Sequence, residues 1–113
     1  MKYALFLYDD EAAWTGLGEA EREAVIGEHM AYVDALTAAG AMQGGEPLET
    51  SDQARTLRGG QVEDGPYADT REQLGGFYVI EAPSMDAAME WARQCPAAKT
   101  GVIEVRPVPD YGG

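Results

Sequence analysis

The sequence has few basic residues and only one cysteine and one histidine. Eight Lys and Arg residues stand against twenty Asp and Glu residues, and the net charge is -12. Without a basic cluster the chain lacks the attraction that phosphate backbones and anionic lipids require, so we expect neither nucleic acid nor a membrane as a partner. A single cysteine excludes an intramolecular disulfide. One cysteine and one histidine together are too few for a four-ligand zinc site, so we expect no metal.

Long hydrophobic runs are also absent. The first apolar run ends at Tyr8 and leads directly into Asp9, Asp10 and Glu11. It is too short to span a bilayer and has no cleavage region of a signal peptide, so we expect a soluble cytoplasmic protein. With 113 residues the chain fits one domain, which we place at 1–108, and we expect a flexible tail over 109–113.

Four segments have the composition of main strands. The continuous apolar run Tyr3–Tyr8 predicts a strand buried on both faces, and Leu74–Ala82 predicts a second strand of this kind. Ala41–Leu48, loosened by two adjacent glycines, and Gly101–Pro107 predict the other two. A small hairpin is expected between the strands Ala41–Leu48 and Leu74–Ala82, because Gly59 and Gly60 suit a two-residue turn that joins 54–58 to 61–64.

Two segments have helical periodicity. From Glu19 to about Ala39 the apolar residues recur at a spacing of 3.6 and predict a long helix that Gly40 ends. Ser84 is typical of an N-cap, and Pro96 ends the second helix. The acidic run Asp9–Glu11 is expected to form a solvated loop.

The order of these elements predicts an α+β fold, namely a ferredoxin-like βαββαβ sandwich with a small inserted hairpin. Two helices cover only one face of the sheet, whereas two of the strands are apolar on both faces. We therefore expect the other face to be buried in a sheet-to-sheet homodimer. The alternative is a monomer in which the hairpin and the tail fold back over the sheet.

His29 is the main candidate for chemistry. It lies within the apolar stripe of the first helix, so its ring is expected to point toward the sheet. An imidazole titrates near neutral pH and can move protons, but a histidine on an apolar face is also often a structural residue. Arg22, two turns earlier, is a candidate for binding an anionic ligand, and the alternative is a solvent-facing arginine.

A second group of candidates follows the hairpin. Asp64, Gly65 and Pro66 predict a sharp turn, which does not by itself account for the polar residues that come next. The candidates for a binding loop are Tyr67, Glu72 and Gly76. The alternative is a hairpin connection with a close strand crossing. Gly75 and Gly76 lack the spacing of a phosphate-binding loop and lead into a strand, so we expect no nucleotide cofactor.

The segment 64–78 resembles the DGPF-domain branch of the YCII-related family, with Tyr67 where Phe is usual. The similarity extends over nearly the whole chain, through Lys2–Leu5, Glu90–Ala92 and Glu104–Pro107. The resemblance implies a ferredoxin-like subunit that pairs as a dimeric α/β barrel. It also implies a site in which a helix histidine pairs with an aspartate.

His29 matches that histidine, but the segment where distant relatives place the acid reads Thr37–Ala39. Asp64 or Glu72 replaces the acid if the loop folds over the helix. One branch of the family includes a dehydrochlorinase of a chlorinated hydroquinone, and other relatives are encoded beside sigma factors. We therefore expect a small organic ligand and lyase-type proton transfer by His29. The alternative is a noncatalytic module that acts on transcription through a protein partner.

Overall fold

Six strands and three helices make up the computed structural model, which describes residues 1–112. The strands are β1 (Lys2–Asp10), β2 (Met42–Pro47), β3 (Arg55–Arg58), β4 (Gln61–Asp64), β5 (Glu72–Glu81) and β6 (Val102–Pro107). The helices are α1 (Glu11–Thr15), α2 (Glu19–Ala38) and α3 (Met85–Gln94), with short 3-10 turns at Ser51–Gln53 and Pro96–Lys99. Gly113, the last residue of the predicted tail, lies outside the described residues.

Four strands form one antiparallel sheet in the order β2-β5-β1-β6. The strands β3 and β4 form a separate two-stranded sheet, in which the tip glycines Gly59 and Gly60 have φ angles of 55° and 82°. Since α2 and α3 each connect a strand of the main sheet to the next, the arrangement is βαββαβ with an inserted hairpin. The predicted α+β, ferredoxin-like fold is confirmed.

The helix boundaries follow from local hydrogen bonds. At the start of α2 the Glu21 carboxylate accepts a hydrogen bond from the Gly18 N–H, and at its end Gly40 has a φ of 72°. The Ser84 hydroxyl accepts from the Ala87 N–H and caps α3, as the sequence predicts. Glu21 and Ser84 each accept a hydrogen bond from a backbone N–H at the start of a helix, where the first turn leaves such donors free. Gly40, with its positive φ, turns the chain away from the last turn of α2.

The first expectation that the structure corrects concerns the acidic run after β1, which is not a loop. β1 continues to Asp10, whose side chain accepts from the Ala12 N–H and caps the short helix α1. The Glu11 carboxylate in turn accepts hydrogen bonds from the backbone and hydroxyl of Ser51. Asp10 therefore fixes the start of α1, because a carboxylate at the N-cap is a good acceptor for the free N–H groups of the first helical turn. Glu11 ties α1 to the segment after β2 through its contact with Ser51.

The core lies between the helices and one face of the sheet. Its buried residues come from β1, β5, α2, α3 and their ends: Tyr3, Leu5, Leu7, Tyr32, Leu36, Ala41, Tyr78, Ile80, Ala82, Ala88, Ala92 and Cys95. Ile26 is one of the apolar residues of α2 whose spacing predicts the helix, but it lies at the margin of the apolar stripe and is 50% exposed. Within residues 1–112 no helix is long and apolar enough to cross a membrane.

The opposite face of the sheet carries a second apolar surface, which we call the open face. In β1 it consists of Ala4, Phe6 and Tyr8, and the first two lie beside Val79 and Phe77 of β5. These side chains are half-buried although neither α2 nor α3 covers them. β1 and β5 are buried on the core face and half-buried on the open face, so burial on both faces stays a prediction, as does what covers the open face.

Candidate functional site

His29 lies over the central part of β5, on the side of the sheet that packs against α2. Its Nδ1 atom is 2.8 Å from the hydroxyl oxygen of Tyr78, with which it forms a hydrogen bond. The two rings are nearly parallel, with an interplanar angle of 17° and centroids 6.1 Å apart. The expectation that the ring points toward the sheet is confirmed, and the partner it meets there is a phenol.

Burial determines the electrostatics of this pair. Burial lowers the pKa of His29 from its usual value near 6.5, and the neighbouring Glu28 carboxylate partly opposes this effect. Burial, with a smaller contribution from Cys95, raises the pKa of Tyr78 to about 12. The Tyr78 hydroxyl therefore keeps its proton at neutral pH, and the neutral form of His29 is favoured.

A second tyrosine supports the pair from α2. The Tyr32 hydroxyl donates a hydrogen bond to the Trp91 carbonyl oxygen at 2.6 Å, which links α2 to α3. The Tyr32 ring meets the Tyr78 ring edge-on, with centroids 5.3 Å apart. Such aromatic contacts have a preferred geometry, so Tyr32 holds the Tyr78 ring in the orientation that reaches His29.

The DGPY loop, residues 64–67, lies apart from this pair. Asp64 ends β4 with its side chain almost fully exposed, 3.8 Å from Arg55 on the paired strand. Gly65 has a φ of 99°, which fits the sharp turn predicted there. Tyr67 is 72% exposed, and the Arg58 guanidinium lies 5.0 Å from the centre of its ring.

A cavity of about 480 Å³ lies between this loop and the main sheet. Its lining comes from the end of β1, the start of β5 and the inserted segment: Tyr8, Leu48, Glu49, Thr50, Ser51, Gln53, Ala54, Pro66, Tyr67, Ala68, Gln73 and Leu74. Tyr8 pairs with Leu74, while the preceding pair, Leu7 with Gly76, belongs to the core side. Because side chains alternate along a strand, the cavity is on the open face, on the other side of the sheet from His29.

The remaining candidate residues have structural contacts in this fold. The Arg22 guanidinium donates to the carbonyl oxygens of Thr15 and Trp14 at the end of α1. Glu72 is exposed at the start of β5, beside Asp10 of β1. A Cβ at Gly76 would lie 3.1 Å from the Glu46 carbonyl oxygen, so this glycine allows β2 to approach β5 closely.

The structure brings His29 and Tyr78 together and keeps the predicted acids elsewhere. In the part of the chain that is described, neither Asp64 nor Glu72 forms a hydrogen bond or an ion pair with His29. In the same residues no three side chains of His, Cys, Asp or Glu are placed to hold a metal ion. The sequence analysis did not identify Tyr78 as the partner, although the alternation of side chains along a strand places Tyr78 and Ile80 on the same face of β5.

Together, the fold and the position of His29 define a class: ferredoxin-like α+β proteins with a histidine between the first long helix and the sheet. The family model of the YCII-related domain matches residues 1–111, so the chain belongs to the YCII-related family. The family predicted from the sequence is confirmed. The chain is 37% identical to an uncharacterized protein, R00369, of Rhizobium meliloti (strain 1021), over 98% of this chain and 94% of that protein.

A solved structure has a similar fold. It is the 5-chloro-2-hydroxyhydroquinone dehydrochlorinase of Burkholderia phenoliruptrix AC1100 in complex with 2,5-dihydroxybenzoquinone. The TM-score is 0.59 with 21% sequence identity, and the match covers 96% of this chain and 94% of that chain. At this identity the similarity shows the fold alone.

Proposed function

We propose that this protein binds a compact organic molecule and acts on it as a lyase-type enzyme, with His29 exchanging a proton with the ligand. The observation that carries the proposal is the hydrogen bond between His29 and Tyr78, which occupies one ring nitrogen and orients the other. Within residues 1–112 the Nε2 atom of His29 has no hydrogen-bond partner, so it is the nitrogen available to a ligand.

Two further observations support this proposal. The ring of His29 is half-buried, which favours its neutral form, and a neutral imidazole can accept a proton near pH 7. The protein of similar fold is a dehydrochlorinase solved with a dihydroxybenzoquinone, a compact oxygenated ring. A small phenol, hydroquinone or quinone is therefore the ligand class to test first.

A noncatalytic binding module is the second candidate function, and the cavity on the open face favours it. The cavity contains Tyr67 of the DGPY loop but not His29. Its volume of about 480 Å³ lies within the range of about 300–1,000 Å³ that small-molecule sites occupy. In this alternative the ligand lies against Tyr67, and a protein partner binds the ligand-bound form of the protein. His29 then has a structural role.

A thermal-shift screen distinguishes the two candidates. Wild type, His29→Ala and Tyr67→Ala are screened with phenols, hydroquinones and quinones, including 2,5-dihydroxybenzoquinone, because a ligand raises the melting temperature only if it prefers the folded state. A hit lost in His29→Ala and kept in Tyr67→Ala supports the enzyme, and the reverse pattern supports the binding module. Release of chloride from 5-chloro-2-hydroxyhydroquinone by wild type, and not by His29→Ala, then tests the lyase chemistry. The absence of any hit contradicts both candidates.

We also propose that the protein is a homodimer, paired through the open face, in the cytoplasm. The half-buried side chains of Phe6, Tyr8, Phe77 and Val79 support this, because an apolar surface of this kind is stabilised by a second apolar surface. The test is the solution mass at micromolar concentration, with Phe77→Asp as the disruptive variant and Leu57→Asp, on the exposed hairpin, as its control. A wild-type mass equal to one chain overturns the homodimer.

A further inference from the structure

The hydrogen bond between His29 and Tyr78 has a direction, and that direction decides what His29 offers to a ligand. A phenol hydroxyl has one proton to donate, whereas a neutral imidazole has one donor and one acceptor nitrogen. Either Tyr78 donates to Nδ1 and the imidazole proton is on Nε2, or Nδ1–H donates to Tyr78 and Nε2 has a lone pair. The two arrangements give the exposed side of the ring opposite properties.

The surroundings of Tyr78 favour the first arrangement. Tyr78 is 8% exposed, and in the described residues the only hydrogen-bond partner of its hydroxyl is Nδ1 of His29. If the hydroxyl accepted from Nδ1–H, its own proton would have no acceptor among the described residues. At this part-buried site, a donor without an acceptor costs more free energy than a spare lone pair on an oxygen that already takes part in one hydrogen bond.

The hydroxyl also keeps its proton. Burial raises the pKa of Tyr78 to about 12, so the phenol is not a phenolate at neutral pH and remains able to donate. Burial lowers the pKa of His29, so Nδ1 is able to accept.

From this geometry we infer that Tyr78 is a positioning residue, which donates to Nδ1 of His29 and thereby places the imidazole proton on Nε2. The inference rests on the proposed function and specifies its ligand. A molecule that enters the site first meets an N–H donor, so it must present an oxygen acceptor such as a carbonyl, quinone or phenolate oxygen. A neutral histidine in this state polarises that oxygen and stabilises negative charge that develops on it.

The same arrangement limits when His29 acts as a base. Nε2 accepts a proton only after it has lost its own proton to water and Nδ1 has gained one from water, with the Tyr78 hydroxyl turned to accept the hydrogen bond from Nδ1–H. Proton transfer from a ligand to Nε2 therefore follows the exchange of tautomers, and the donated hydrogen bond comes first.

The tautomer is directly measurable because the chain has one histidine. In a two-dimensional ¹H–¹⁵N spectrum of the uniformly ¹⁵N-labelled protein at pH 8, the two ring nitrogens belong to His29 alone. We expect Nε2 to have the chemical shift of a protonated nitrogen and Nδ1 that of a hydrogen-bonded, unprotonated nitrogen. A protonated Nδ1 in the wild-type protein overturns the inference.

Two variants separate positioning from a merely structural role. Tyr78→Phe keeps the ring and removes the hydroxyl, and we expect both nitrogen shifts to move toward values averaged over the two tautomers. Tyr32→Phe removes the hydroxyl of the adjacent buried tyrosine, which bonds to Trp91, and we expect it to leave the His29 tautomer unchanged. Nitrogen shifts in Tyr78→Phe that equal those of wild type contradict the inference.

The ligand class is tested with two probes of similar size, acetophenone and ethylbenzene, at millimolar concentration. We expect acetophenone, which has a carbonyl oxygen, to shift the Nε2 signal more than ethylbenzene does, and equal shifts overturn the ligand class. The tautomer spectrum needs no ligand, so a wrong tautomer leaves the proposed function standing. A thermal-shift screen without hits refutes the proposed function and leaves the tautomer assignment unaffected.

Discussion

Substituting Gly45 by Ala tests whether the close approach of β2 to β5 holds the Tyr78 backbone in place. Gly45 pairs with Tyr78 across these strands. A Cβ on Gly45 would lie 2.6 Å from the Phe77 carbonyl oxygen, 2.9 Å from Cδ1 of Tyr78 and 3.2 Å from its Cα. Two of these three atoms belong to the backbone of β5, so a change of side-chain rotamer does not relieve the contact.

The expected loss follows from this overlap. Extra carbon atoms in a packed region cost about 1–3 kcal/mol, and the upper half of that range applies here because a strand must move. At roughly 4 °C of melting temperature for each kcal/mol in a domain of this size, Gly45→Ala should melt about 8–12 °C below wild type. The displaced Tyr78 should also shift the ring signals of His29.

Gly44→Ala is the matched control in the same strand. A Cβ on Gly44 has no atom within 4 Å, so its effect should stay within about 0.5 kcal/mol. Thermal unfolding followed by circular dichroism compares the two variants, and the ¹⁵N spectrum reports on His29. If Gly45→Ala melts together with Gly44→Ala and leaves the His29 signals in place, the proposed packing of β2 against Tyr78 is wrong.

Three further predictions concern the core and the histidine. Burial lowers the pKa of His29 below its usual value near 6.5, so the unfolded state binds more protons and the free energy of unfolding falls as the pH drops below about 6.5. His29→Gln should lose this part of the pH dependence in urea unfolding between pH 5 and 8, and identical slopes for both proteins would speak against it. Leu36→Ala, fully buried on α2, should cost about 2–5 kcal/mol in urea unfolding, and Met30→Ala, 64% exposed on the same helix, should cost less than about 0.5 kcal/mol. Equal losses would contradict the burial pattern. Cys95 is 1% exposed and burial raises the pKa of its thiol, so Ellman's reagent should react with it only after unfolding, and rapid reaction of the native protein would be the contrary result.

The main elements of the fold were predictable because each has a strong local signal. The helical spacing of the apolar residues in α2 and the two-sided apolar runs of β1 and β5 are properties of short sequence windows. The turn at Gly59 and Gly60 also depends only on local backbone angles, and it was predicted correctly. Helix α1 was missed because five residues are too few to show periodicity, and its cap, Asp10, was interpreted as part of a solvated acidic run.

The site was less predictable, because it depends on contacts between distant parts of the chain. The face of α2 that carries His29 follows from periodicity, but its partner Tyr78 is 49 residues away, and the register of β5 decides which side chain lies there. A bulge in β5 also makes the register harder to predict from sequence. Leu7 pairs with Gly76 but the next residue, Tyr8, pairs with Leu74, so one residue of β5 is skipped. Only the structure shows that the DGPY loop and His29 lie on different sides of the sheet.

The position of β1 has a consequence for synthesis of the protein. This first strand lies in the middle of the sheet, and both of its neighbours, β5 and β6, come from residue 72 onward. A ribosome that adds about 5–20 residues per second needs roughly 3–12 s to pass from the end of β1 to the start of β5. During that time the apolar run Tyr3–Tyr8 has neither of its partner strands. The nascent chain therefore contains an unpaired apolar segment until β5 has been made, and the sheet is complete only after β6.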